Sequence, residues 1–113
     1  MKSVNSVRVF TAAVVLALFS AYSGAMAFSA AEQRGHALLE KMCARCHAID
    51  RTGTSPHVGA PPFRELDRRL DLDTFFARLS DGLTSGHPDM PTFRFSRGDA
   101  KAAVAYLRTI QRH

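Results

Sequence analysis

Apolar positions recur with a helical period in three stretches of the chain. Gly35, Leu38, Leu39 and Met42 fall at i, i+3, i+4 and i+7, which puts them on one helix face, turned to the core. Ser29 and Glu32 have the S-x-x-E form of a capping box, so the pattern predicts a helix from there to about Met42. Gly35 inside it costs ~1 kcal/mol relative to Ala. It is either a tolerated weakness or a point where another helix comes close. Leu72, Phe75, Phe76 and Leu79 make a second apolar face, with Asp71 or Asp73 as cap and Gly82 as stop. Ser96, with Asp99 three residues on, opens a last helix. Its inner side carries Val104 and Leu107, with Ala103 and Tyr106 beside them.

Between these helices lie two long loops. Residues 50–62 hold three prolines and two glycines, and Pro62 is suited to start a short helix to about Arg69. Residues 83–95 are rich in Thr, Ser, Gly and Pro. No stretch reads as a strand, a repeat or low complexity. The expectation is an all-α chain of three to four short helices. Long structureless loops are uncommon in so small a domain, so something is expected to fill the space between the helices.

The first segment reads differently. Lys2 and Arg8 precede an apolar run, Val9 to Phe19, and small residues then lead to Ala25-Met26-Ala27. This is the build of a secretory signal peptide with an A-x-A cleavage site. The run is short against the ~20 residues that span a bilayer, which disfavours a retained anchor. The reading is therefore residues 1–27 as a cleaved signal and 28–113 as one domain, exported to the periplasm without stable membrane insertion.

Cleavage changes the charge. The full chain carries +5, but residues 28–113 hold 13 basic and 10 acidic side chains, a net +3. That is a weak case for nucleic acid, which selects a clustered basic face. A domain this small commonly leans on a metal, cofactor or disulfide. Export places its two cysteines, three positions apart, in an oxidising compartment.

Those cysteines belong to Cys43-Ala44-Arg45-Cys46-His47, the C-x-x-C-H signature of c-type haem attachment. Two thiols add across the haem vinyl groups as thioethers, and the adjacent imidazole reaches the iron. A thioredoxin-like C-x-x-C expects an α/β fold. A zinc site expects further ligands, and there are no other cysteines. A plain disulfide leaves His47 idle.

Haem iron that shuttles electrons takes a second axial ligand. Met42 and Met90 are the candidates outside the signal, with His87 and His57 as rivals. Met90 sits in Gly86-His87-Pro88-Asp89-Met90-Pro91, stiffened by proline on both sides.

With Cys43-x-x-Cys46-His47, Met90-Pro91 and Val104-Ala105-Tyr106-Leu107, the chain resembles the class I cytochromes c, in particular the short bacterial periplasmic ones. The resemblance covers essentially all of residues 28–113. It implies a fold wrapped around one covalent haem c, with the first and last helices crossing where Gly35 meets the region of Tyr106. It implies His47 and Met90 as the axial ligands of the iron. Ala60-Pro61-Pro62-Phe63 looks like the family's Gly-Pro-x-Leu segment, which implies that the Pro61 carbonyl holds the His47 imidazole. Ala stands in place of the usual Gly, and Pro62 is the alternative acceptor.

Arg51, Arg64 and Arg94 lie in or beside the loops as candidate partners for the haem propionates. Phe63, Phe75, Phe76, Phe93 and Phe95 are candidates for the apolar pocket, although Phe75 and Phe76 are adjacent and cannot both face it. The function read from all this is a monomeric, non-enzymatic one-electron carrier between protein redox partners. Lys41, Arg45 and Arg94 would form a positive rim that steers acidic partners. The alternatives are a dedicated haem subunit of a periplasmic dehydrogenase or oxidoreductase complex, and a gas sensor with open iron.

Overall fold

The structure, a computed structural model, describes residues 27–112; the expected signal segment, but for Ala27, and His113 lie outside them. Ser29 caps helix α1 (Ala30–Met42) in the expected box: its hydroxyl accepts the Glu32 N–H, and the Glu32 carboxylate accepts the Ser29 N–H. A 3₁₀ segment follows at Phe63–Arg68, entered from Pro62. Helix α2 (Leu72–Asp81) is capped by Asp71, whose carboxylate accepts the N–H groups of Asp73 and Thr74. It ends at Gly82, whose φ of 127° favours glycine. Helix α3 (Arg97–Ile110) is capped by Ser96, which accepts the Asp99 N–H. The second half of that expected box is missing. The Asp99 carboxylate pairs instead with Arg34 across the helix crossing.

The broadest packing in the domain is between α1 and α3, and it depends on Gly35. A Cβ there would lie 2.0 Å from the Ala102 carbonyl oxygen and 3.0 Å from the Tyr106 Cβ. The backbones touch because no side chain separates them, so this glycine is a packing requirement and not a weakness. On α3, Ala100, Ala102, Ala103, Val104, Tyr106, Leu107 and Ile110 are buried, a wider face than Val104 and Leu107 alone suggested. Ala102 on that face lets α1 approach at Gly35, and the same helix also packs against α2 and the 3₁₀ segment.

One expectation fails here. Met42 does not face the core but is 38% exposed. Burial on α1 is confined to Gly35 and Leu39, and the helix ends one turn later, so the apolar face outruns its cover.

Tyr106 ties three parts together. Its hydroxyl lies 2.8 Å from Asp50 Oδ1 and 3.1 Å from the Ile49 carbonyl, sharing one proton between them. His36 of α1 places Nε2 3.0 Å from the same Asp50 oxygen and sets its ring edge-on to Tyr106. Burial, then the bond to Asp50, raises the Tyr106 pKa well above its ordinary value. α1, α3 and the chain just after His47 are thereby pinned to one another.

Among the described residues, no helix is long and apolar enough to cross a membrane.

Candidate functional site

The C-x-x-C-H motif begins where α1 ends. Cys43 is the C-cap, its N–H still bonded to the Leu39 carbonyl. The chain then coils on itself: the N–H groups of Cys46 and His47 both donate to the Cys43 carbonyl. Both cysteines are part-buried, unpaired thiols. Burial, reinforced by the nearby Cys46, pushes the Cys43 thiol up to about 12.

His47 is held from behind. Its Nδ1 lies 2.8 Å from the Pro61 carbonyl, which can only accept, so Nδ1 carries the proton. That leaves the Nε2 lone pair available, the form in which a neutral imidazole binds a metal. The acceptor is Pro61 and not Pro62; the Pro62 carbonyl takes the Glu65 N–H instead. Phe63 packs its ring 4.6 Å from the imidazole and is itself edge-on to Phe75. The Phe63 N–H donates to Ala48, which fixes the 3₁₀ segment against the motif.

Met90 lies in a loop closed at its neck. Leu83 and Phe93 exchange both backbone hydrogen bonds, at 2.7 and 3.1 Å, an isolated antiparallel bridge that no periodicity signalled. Within the loop the Met90 N–H donates to His87, and the His87 N–H donates to Ser85. Met90 is half-buried and packs against the core, whereas His87 is exposed. Of the adjacent phenylalanines, Phe75 is buried and Phe76 only partly so, its ring under the Arg97 guanidinium.

The three candidate arginines separate. Arg51 donates to the Thr109 carbonyl and Arg94 to that of Ser80. Arg64 keeps Nε and Nη1 shielded from solvent with no hydrogen-bond partner. Lys41 just before the motif and Arg45 within it are exposed. The second rival ligand, His57, is spent elsewhere: its N–H meets the Cys46 carbonyl and its ring contacts Val58 and Asp89. Among the described residues, no group of three or more His, Cys, Asp or Glu side chains is arranged to hold a metal ion.

Comparison with known proteins points the same way. Residues 30–107 match the family model described as cytochrome c oxidase, cbb3-type, subunit III. The chain belongs to the c-type cytochromes of that family. It is 32% identical over 98 residues to cytochrome c-552 of Bradyrhizobium diazoefficiens, covering 87% of this chain and 90% of that relative. No solved structure matches. The protein is thus a small class I c-type cytochrome with an all-α fold, and a haem c electron carrier. The donor chemistry fits such a group: two adjacent free thiols, an imidazole oriented from behind, an apolar wall, and an arginine with unmet donors.

Proposed function

We propose that this cytochrome is an exported, single-haem carrier that moves one electron between protein partners, with His47 and Met90 as axial ligands and Cys43 and Cys46 as thioether anchors. The observation that carries the reading is the His47–Pro61 bond, which occupies Nδ1 and leaves the Nε2 lone pair for a metal at the end of the C-x-x-C-H turn. Bound haem supplies a one-electron iron centre whose potential a thioether ligand raises.

The chain's own residues then have distinct tasks. Pro61 fixes the imidazole plane and its tautomer. Met90 offers a neutral sulfur from a loop closed by its own hydrogen bonds, so ligation needs little rearrangement. Its half-burial, against the exposure of His87, supports it as the sixth ligand. Phe63 and Phe75 exclude water from the His47 side. Arg64 is the cation we assign to a propionate, because its shielded Nε and Nη1 lack an acceptor. With His47 and Met90 both on the iron, no position would be left for a substrate, so this ligand set fits a carrier rather than an enzyme or a sensor. Residues 1–27 carry the address that delivers the chain to the periplasm.

A second reading has one observation in its favour. The matching family is described as an oxidase subunit, so a permanent place in an oxidoreductase complex is the alternative to a free monomer. The relative that the chain matches over 90% of its length is named as a cytochrome c-552.

Voltammetry of the full-length holoprotein, with carbon monoxide added to the reduced form, tests the proposal. A reversible one-electron wave and no carbon monoxide adduct at neutral pH are expected. A stable adduct overturns the ligand set and revives the sensor.

A further inference from the structure

One residue joins the two loops that the proposed ligand set depends on, through its backbone on one side and its ring on the other. The His57 backbone N–H donates to the Cys46 carbonyl at 3.2 Å, seating the first loop on the C-x-x-C-H turn. The His57 ring reaches the other way: Nε2 lies 3.3 Å from the Asp89 carboxylate, next to Met90. Its Nδ1 donates to the Val58 carbonyl at 2.7 Å, which fixes the ring's direction, so the Asp89 contact is an ion pair when Nε2 carries a proton as well. On the far side, the Asp89 N–H donates to His87 Nδ1 at 3.3 Å, and the His57 and His87 rings stand edge to face with centroids 6.2 Å apart. The isolated Leu83–Phe93 bridge closes the base of the Met90 loop, and His57 meets the tip.

We infer that His57 is a positioning residue, a clasp that holds the Met90 loop against the haem-attachment turn and keeps the sulfur within reach of the iron. The inference rests on the His47/Met90 reading. Unclasped, the Met90 loop is still closed at its base, so it swings without unfolding the helices. The clasp therefore controls local opening, which in proteins occurs at lower free energy than global unfolding.

The test uses the full-length holoprotein, heated in the oxidised state. Two signals are followed: the near-infrared sulfur-to-iron band, for ligation, and far-ultraviolet circular dichroism, for the helices. His57→Ala and Asp89→Asn are each expected to lower the midpoint of band loss by about 5 °C, the scale of one exposed ion pair in a domain this size, with a smaller shift in the circular dichroism. The Asn variant keeps the backbone bond to His87 and removes only the charge. The double variant is expected to match the worse single variant, because both changes break one contact. Unchanged midpoints, additive losses, or equal shifts of both signals overturn the clasp and leave the Met90 assignment standing. A wild-type protein without the band overturns the Met90 assignment, and the clasp with it.

Discussion

Gly35 and Ala102 meet with no side chain between them: a Cβ on Gly35 would sit 2.0 Å from the Ala102 carbonyl oxygen. The contact is with backbone, which cannot rotate away as a side chain can. α1 carries the cysteines at its C-terminal end, so the crossing sets where the attachment turn lies relative to the rest of the fold.

Gly35→Ala is therefore expected to destabilise the holoprotein by about 3 kcal/mol, at the upper end of core overpacking and against the usual helix preference for Ala. Thermal unfolding followed by circular dichroism measures it. An Ala variant as stable as the wild type means that the helices do not cross at this glycine.

Tyr106→Phe is expected to cost about 1–2 kcal/mol, because the Asp50 and Ile49 oxygens lose a donor. It also has a pH signature. The folded-state pKa lies above the ordinary value of about 10, so above that pH the unfolded chain loses its tyrosine proton before the folded one does. The stability due to this group is complete below pH ~10 and falls as pH rises further. Denaturant titrations at pH 8 and pH 11 should show the wild type losing more stability than the Phe variant. Equal losses mean that the hydroxyl is not held in this network.

Lys41 before the attachment turn and Arg45 within it stand exposed. If electrons leave there, Arg45→Glu slows oxidation by the anionic probe hexacyanoferrate(III) several-fold at low ionic strength. The gap closes toward 1 M salt, where the Debye length falls to ~3 Å. A rate insensitive to the substitution places the exit elsewhere.

Arg64→Gln removes the shielded guanidinium assigned to a propionate. Losing a positive charge beside the haem lowers the potential, because the oxidised centre is the more positive one. The shift should depend on pH across the propionate's titration, and voltammetry over a pH range measures both effects. An unchanged potential removes Arg64 from the haem.

What the chain disclosed in advance depended on how local the cause was. Ser29, Asp71 and Ser96 marked three helix starts because a cap acts within four residues. Gly35 hinted at a crossing, but only the resemblance to cytochromes c placed the partner near Tyr106. Pro61 as the acceptor from His47 was likewise implied by family likeness, over a separation of 14 residues that no periodicity encodes. Met42 misled because a helical face can continue past its cover. Some features left no trace in the pattern: the single-rung Leu83–Phe93 bridge, the Asp50–Tyr106 pair and the His57–Asp89 contact. A bridge one rung long has no alternation to read, and the two polar pairs join residues 56 and 32 positions apart.

The most direct measurement is the absorption spectrum of the full-length protein matured in a bacterial envelope, taken in both oxidation states after acid–acetone extraction. The account predicts that haem stays with the polypeptide and that the oxidised form shows the weak near-infrared sulfur-to-iron band, which Met90→Ala abolishes. Haem that extracts into the solvent contradicts attachment at Cys43 and Cys46. Haem that stays without the band, or with a band that survives Met90→Ala, contradicts Met90 as the sixth ligand.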